Sequence, residues 1–132
     1  MAERNAQILV VDDCRMNSLL LRYILERAGY ASDSASGGPE ALRKAESNPY
    51  ALIFLDIMLP GMDGIEVAGE LLRRRPDPLP QIVFMTGIGE DLDADAVRES
   101  SPFEVLLKPI APSAVLALVQ KTITVLPAAI TL

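Results

Sequence analysis

The chain has 132 residues, half of them apolar, with 18 acidic against 12 basic side chains, a formal net charge of −6, one Cys, no Trp and no His. Without His there is no Ser-His-Asp or Cys-His relay, no imidazole metal ligand and no imidazole acid or base within this chain, so any chemistry falls to carboxylates, Lys and hydroxyls. A lone Cys closes no intrachain disulfide, a pI near 4.6 argues against a phosphate-backbone surface, and neither a signal peptide nor an apolar run of about 18 residues is present; a cytoplasmic chain with no direct nucleic-acid or membrane contact is expected.

Gln7 to Val11 is a continuous apolar run that stops at Asp12 and Asp13, as a strand buried on both faces would. Met16, Leu19, Leu20, Tyr23, Ile24 and Arg27 then recur at helical spacing, with Gly29 where a C-terminal cap belongs. A weak strand follows around Tyr30 to Ala35, and a helix opens near Gly38 and Pro39, Pro suiting the first helical position. Ala51 to Leu55 is the clearest strand. Asp56 stops it, a turn-rich Leu59 to Gly64 follows, and a helix runs to about Arg75 with Asp63 as its candidate cap.

The basic run Arg73 to Arg75 reads as a solvated helix end, where cations meet the negative end of the helix dipole. After a Pro-broken linker, Gln81 to Met85 is a fourth strand ending at Thr86, and residues near Asp91 to Glu99 suit a fourth helix. Val105 to Leu107 is a short fifth strand ending at Lys108 and Pro109, and Ala111 to about Leu126 is the last helix. Five βα units predict an α/β fold: a doubly wound, five-stranded parallel sheet with helices on both faces. One domain over residues 1–126 is expected, leaving an apolar tail at 127–132 without an assigned role.

Asp12, Asp13, Asp56, Thr86 and Lys108 each fall at the C-terminal end of an apolar strand, where open parallel sheets bind ligands. Polar residues often terminate strands, but five of them from four strands would converge in one cleft. Three neighbouring carboxylates need more counter-charge than one Lys supplies. Mg²⁺ fits, since it takes one or two carboxylates and completes its octahedron with water and phosphate oxygens. The set matches what phosphoryl transfer to a carboxylate requires: a nucleophile, a metal, an ammonium and a hydroxyl.

These residues resemble the receiver domain of bacterial two-component response regulators, chemotaxis-regulator-like in type, over about Gln7 to Thr124. The stretches that carry the likeness are Ile8 to Asp13, Ala51 to Gly64, Met85 to Gly87 and Leu106 to Ile110. The resemblance implies the flavodoxin-like strand order 2-1-3-4-5, Asp56 as phosphoacceptor, and a Mg²⁺ site from Asp13, Asp12 through water, Asp56 and the Met58 backbone carbonyl. It further implies Thr86 and Lys108 on phosphoryl oxygens, a cis Lys108-Pro109 bond, and a partner phospho-His on a sensor histidine kinase or His-containing phosphotransfer protein. The chain is then an acceptor that catalyses its own phosphorylation and dephosphorylation, not an enzyme with turnover on others. Phosphorylation would bias the surface made by the fourth helix, fifth strand and fifth helix, with phosphorylation-dependent dimerisation open. Asn17 gives a DDCRMN spacing similar to receivers of hybrid kinases and phosphorelays.

The chain departs from the family pattern at Val105, where similar domains commonly carry Tyr or Phe; Phe103 stands two residues earlier. Met58 and Ile88, two residues beyond the acceptor and beyond Thr86, are both apolar, which predicts slow self-dephosphorylation. Cys14 reads as a small residue at the first helix start, because adjacent carboxylates disfavour a thiolate. A degenerate receiver acting as a phosphorylation-independent binding module stays open as the alternative. A haloacid-dehalogenase-type phosphatase would need a second Asp where Met58 stands, and neither GxGxxG nor GxxxxGK[ST] occurs.

Overall fold

The computed structural model describes residues 7–74, 79–87 and 104–123. The elements are β1 (Ile8–Val11), α1 (Arg15–Arg27), β2 (Ser32–Ala35), α2 (Gly38–Ser47), β3 (Leu52–Asp56), α3 (Gly64–Arg74), β4 (Gln81–Gly87), β5 (Glu104–Lys108) and α4 (Pro112–Ile123). The five strands form one parallel sheet in the order β2-β1-β3-β4-β5. Fold class and strand order are those expected. The helix expected near Asp91 to Glu99, Arg75, Phe103 and the tail lie outside the described residues.

Because side chains alternate across a strand, the apolar runs supply two half-cores. Leu9, Val11, Ile53, Leu55, Ile82 and Phe84 face the side covered by α2 and α3, with Leu42, Val67 and Leu71 from those helices. Ile8, Val10, Leu52, Phe54, Val83 and Met85 face the other side, with Leu21, Ile24 and Leu25 of α1 and Val115, Val119 and Ile123 of α4. This explains why β1, β3 and the middle of β4 read as unbroken apolar runs.

Local chemistry sets the helix ends. Gly29 has φ +99°, and the amides of Gly29 and Tyr30 close back on the carbonyls of Glu26 and Leu25, so α1 ends at the residue type that adopts this conformation most cheaply. Asp63 caps α3: its Oδ1 accepts from the Glu66 amide at 2.9 Å while Glu66 Oε1 accepts from the Asp63 amide at 3.0 Å. At α2, the helix opens at Gly38 with Pro39 in its first turn, as the sequence suggested. Arg73 and Arg74 are exposed in the last turn of α3, as expected of a solvated helix end; both pair with Glu70, and Arg74 also reaches Glu46 on α2 at 2.6 Å.

The helix α1 forms where the spacing placed it, and packing selects its buried face. The residues that turn inward are Ser18, Leu21, Ile24 and Leu25, whereas Met16, Leu19, Leu20 and Tyr23 lie on the outside. The helix carries more apolar residues than one face can bury, so spacing alone did not choose the buried stripe.

On the opposite face, buried Tyr50 donates its hydroxyl to Asp33 Oδ2 at 3.1 Å, and Lys44 donates to Asp33 Oδ1 at 3.1 Å. Burial pushes the Asp33 carboxyl up, but the Ser34 amide, Lys44 and Tyr50 together hold it below the usual carboxylate range. A depressed folded pKa contributes stability above the unfolded value and loses it as pH falls through the folded one. Tyr50→Phe is expected to cost about 1 kcal/mol in urea denaturation at neutral pH. Asp33→Asn should flatten the acid side of the stability profile; an unchanged acid limb would show that Asp33 does not contribute to it.

Candidate functional site

The carboxyl ends of the strands bring the expected residues together through register. Val11 pairs with Leu55, so Asp12, one residue on, stands beside Asp56; Asp56 pairs with Met85, next to Thr86; and Gly87 pairs with Lys108. One oxygen from each of Asp12, Asp13 and Asp56 lies within 4.8 Å of the others. Asp12 and Asp56 are each 3 % exposed and Thr86 1 %, while Asp13 is open to solvent.

Lys108 bridges the two buried carboxylates. Its Nζ donates to Asp56 Oδ2 at 2.7 Å and to Asp12 Oδ2 at 3.2 Å, and the Lys108-Pro109 bond behind it is cis. The remaining oxygens meet backbone amides: Met58 N–H donates to Asp56 Oδ1 at 3.0 Å and Cys14 N–H to Asp12 Oδ1 at 2.9 Å. These two amide contacts were not foreseen, although a carboxylate two residues before a turn or helix start commonly closes back on the chain. Cys14 is the exposed N-cap residue of α1, with no side-chain capping bond.

Charge at the site is unbalanced. Burial raises the Asp56 carboxyl above its ordinary value and Asp12 adds to the rise; Lys108 and the Met58 amide oppose it without overcoming it. Burial alone would lower Lys108, but Asp56 and Asp12 hold its ammonium above the usual range. One cation thus leaves the pocket short of positive charge. The donors are hard carboxylate oxygens, one of them exposed, which suits a divalent ion of the Mg²⁺ type.

Val105 on β5 is half-buried and packs against the α2/α3-side core, whereas Ile88 and Phe103 lie outside the described residues. No helix among the described residues is long and apolar enough to cross a membrane.

An open parallel sheet of this order with three carboxylates and an ammonium at its carboxyl edge defines a chemotaxis-regulator-like α/β domain with an acidic, cation-seeking pocket. Comparison with known proteins narrows the class: the family described as the response regulator receiver domain matches residues 8–120. The alkaline phosphatase synthesis transcriptional regulatory protein PhoP of Bacillus subtilis is 42 % identical over 116 residues, 88 % of this chain and 48 % of the relative. The transcriptional regulatory protein ResD of the same organism is 39 % identical over 114 residues, 86 % of this chain and 46 % of the relative. Among solved structures, the receiver domain of NtrX from Brucella abortus superposes with a TM-score of 0.79 at 26 % identity, covering 89 % of this chain and 98 % of that one. Vibrio cholerae chemotaxis protein CheY4 gives 0.78 at 25 %, covering 90 % and 99 %.

The chain belongs to the response regulator receiver family, as a receiver domain of a two-component system. It spans about half the length of the curated relatives it matches.

Proposed function

We propose that this chain is a cytoplasmic phosphoacceptor in which Asp56 takes a phosphoryl group from a phospho-His on a partner. The observation that carries this reading is the buried Asp12 and Asp56 pair joined by Lys108, with Asp13 completing a carboxylate trio. An Asp56 oxygen attacks phosphorus, the O–P bond forms as the P–N bond of the donor breaks, and the imidazole leaves with its electron pair. Lys108, already 2.7 Å from Asp56, stands where it can neutralise a phosphoryl oxygen, and Thr86 at the end of β4 supplies a hydroxyl on the neighbouring strand. Asp12, Asp13, Asp56 and the Met58 carbonyl would hold Mg²⁺, which when bound offsets the charge of the transferring group.

The outside of α1 suits the donor's approach. Met16 is 72 % exposed and Tyr23 61 %, with Leu19 and Leu20 between them, and the stripe begins within one turn of Asp13. Arg22, Glu26 and Arg27 border it, Arg22 paired with Glu26 at 3.3 Å, so the surface favours a partner with an apolar ridge. Phosphorylation would be read on β5, α4 and the helix expected between β4 and β5, as Lys108 and Thr86 turn towards the new charge.

The reading is tested by incubating the chain with acetyl phosphate and Mg²⁺ and measuring intact mass. One phosphoryl adduct, lost when a chelator is added first, is the expected result; no adduct would leave a phosphorylation-independent binding module. The half-exposed Met58 side chain beside Asp56 gives water no hydrogen-bonding partner, so the phosphoryl group should be long-lived. Met58→Asn is expected to shorten its lifetime severalfold, followed by mass after the donor is removed; an equal or slower decay would contradict this.

A further inference from the structure

Gly64 opens α3, and its Cα faces the backbone of the acceptor strand. A Cβ built there would stand 2.3 Å from the Asp56 carbonyl oxygen, 2.8 Å from Ile57 Cα and 2.9 Å from the Asp56 carbonyl carbon. All three are backbone atoms, which cannot rotate aside as a side-chain tip would. The Gly64 amide also donates to the Ile57 carbonyl at 2.8 Å, an oxygen that accepts the Leu59 amide at 3.2 Å as well. The first turn of α3 is thus pressed and bonded to Asp56 and Ile57, and the chain between them, carrying Met58, is a closed loop.

We infer that Gly64 is a positioning residue for the phosphoacceptor: its missing side chain lets α3 clamp the Asp56–Met58 backbone in the geometry that presents both the Asp56 carboxylate and the Met58 peptide to the site. This rests on the phosphoacceptor reading. An added methyl can be relieved in two ways, and both reach the site. If the strand end yields, Asp56 moves against a partner that fixes it, the Ile57 amide bonded to the Met85 carbonyl at 3.0 Å. If α3 retreats, the Gly64 to Ile57 bond opens and the Met58 turn, whose amide holds Asp56 Oδ1, is released. Gly69, five residues on in the same helix, has open space around its absent Cβ and is the matched control.

The test compares wild type, Gly64→Ala and Gly69→Ala for binding of Mn²⁺ alone, read from the loss of the free-ion paramagnetic resonance signal, with melting temperature and acetyl-phosphate uptake beside it. Gly64→Ala is expected to bind Mn²⁺ about tenfold or more weakly at a temperature where it is folded, by analogy with groups that orient metal ligands from behind. Gly69→Ala should bind as wild type. If Gly64→Ala melts lower yet binds Mn²⁺ and takes phosphoryl groups as wild type does, or if Gly69→Ala weakens binding equally, the inference is overturned and Gly64 serves packing only. Should Gly64→Ala not fold, Asp63→Ala decides. It loosens the same turn without adding an atom, so weaker Mn²⁺ binding supports the inference and wild-type binding overturns it. A wild-type chain that binds Mn²⁺ but takes no phosphoryl group would refute the phosphoacceptor reading instead, leaving the metal comparison intact.

Discussion

Asp56→Asn is expected to abolish phosphoryl uptake while leaving the metal-free domain at least as stable as wild type. The uptake is lost because the amide has no anionic oxygen to attack phosphorus. Stability follows from the charge balance: burial and Asp12 raise the Asp56 carboxyl against the opposition of Lys108. The folded chain therefore holds that proton more tightly than the unfolded one, and the contribution to stability is lost as pH rises from the usual carboxylate range through the raised value. Asn removes this loss and leaves Lys108 with Asp12, 3.2 Å away. Intact mass after acetyl phosphate reads the first effect and urea denaturation in chelator the second. A stability loss above about 1 kcal/mol would mean the Asp56–Lys108 pair outweighs its desolvation.

Lys108→Ala should act in the opposite sense. It strips two buried carboxylates of their shared ammonium, and breaking a buried pair in this way costs about 3–5 kcal/mol. The Lys108 side chain keeps 19 % exposure, which lets water screen part of the charge, so a loss of about 2–3 kcal/mol is expected in chelator. Mg²⁺ should restore much of it, because a ligand that binds only the folded state stabilises that state. Phosphoryl uptake should fall about 10²- to 10³-fold, the scale of losing one preorganised donor to developing negative charge. The measurement is urea denaturation with and without Mg²⁺ alongside uptake rates. Equal destabilisation in both conditions would show that Mg²⁺ does not engage Asp12 and Asp56.

The sheet and its acidic edge were legible in the sequence for one physical reason. A strand buried on both faces must be apolar throughout, so the first charged residue marks its end, and in a parallel sheet every such end lies on the same side. Asp12, Asp56 and Lys108 were found in this way and are joined by hydrogen bonds. What stayed hidden was set by three-dimensional packing. The inward face of α1 includes Ser18, whose hydroxyl reaches the Asp12 carbonyl at 3.4 Å, while a more apolar stripe is left outside. The Gly64 contact with Asp56 was invisible because an absent side chain leaves no pattern. The pairing of Arg74 with Glu46 depends on how closely α2 and α3 pack, which spacing along either helix does not encode.

The division of the interior into two half-cores also bears on how such a chain can change over generations. Leu9, Val11, Ile53 and Leu55 belong to one side of the sheet and Ile8, Val10, Leu52 and Phe54 to the other. A substitution beneath α2 and α3 is insulated from the face that α1 presents, because the layer between them is continuous backbone. Repacking on one side of the sheet can therefore drift apart from repacking on the other, each tolerated while the shared ladder of strands keeps Asp56 in place.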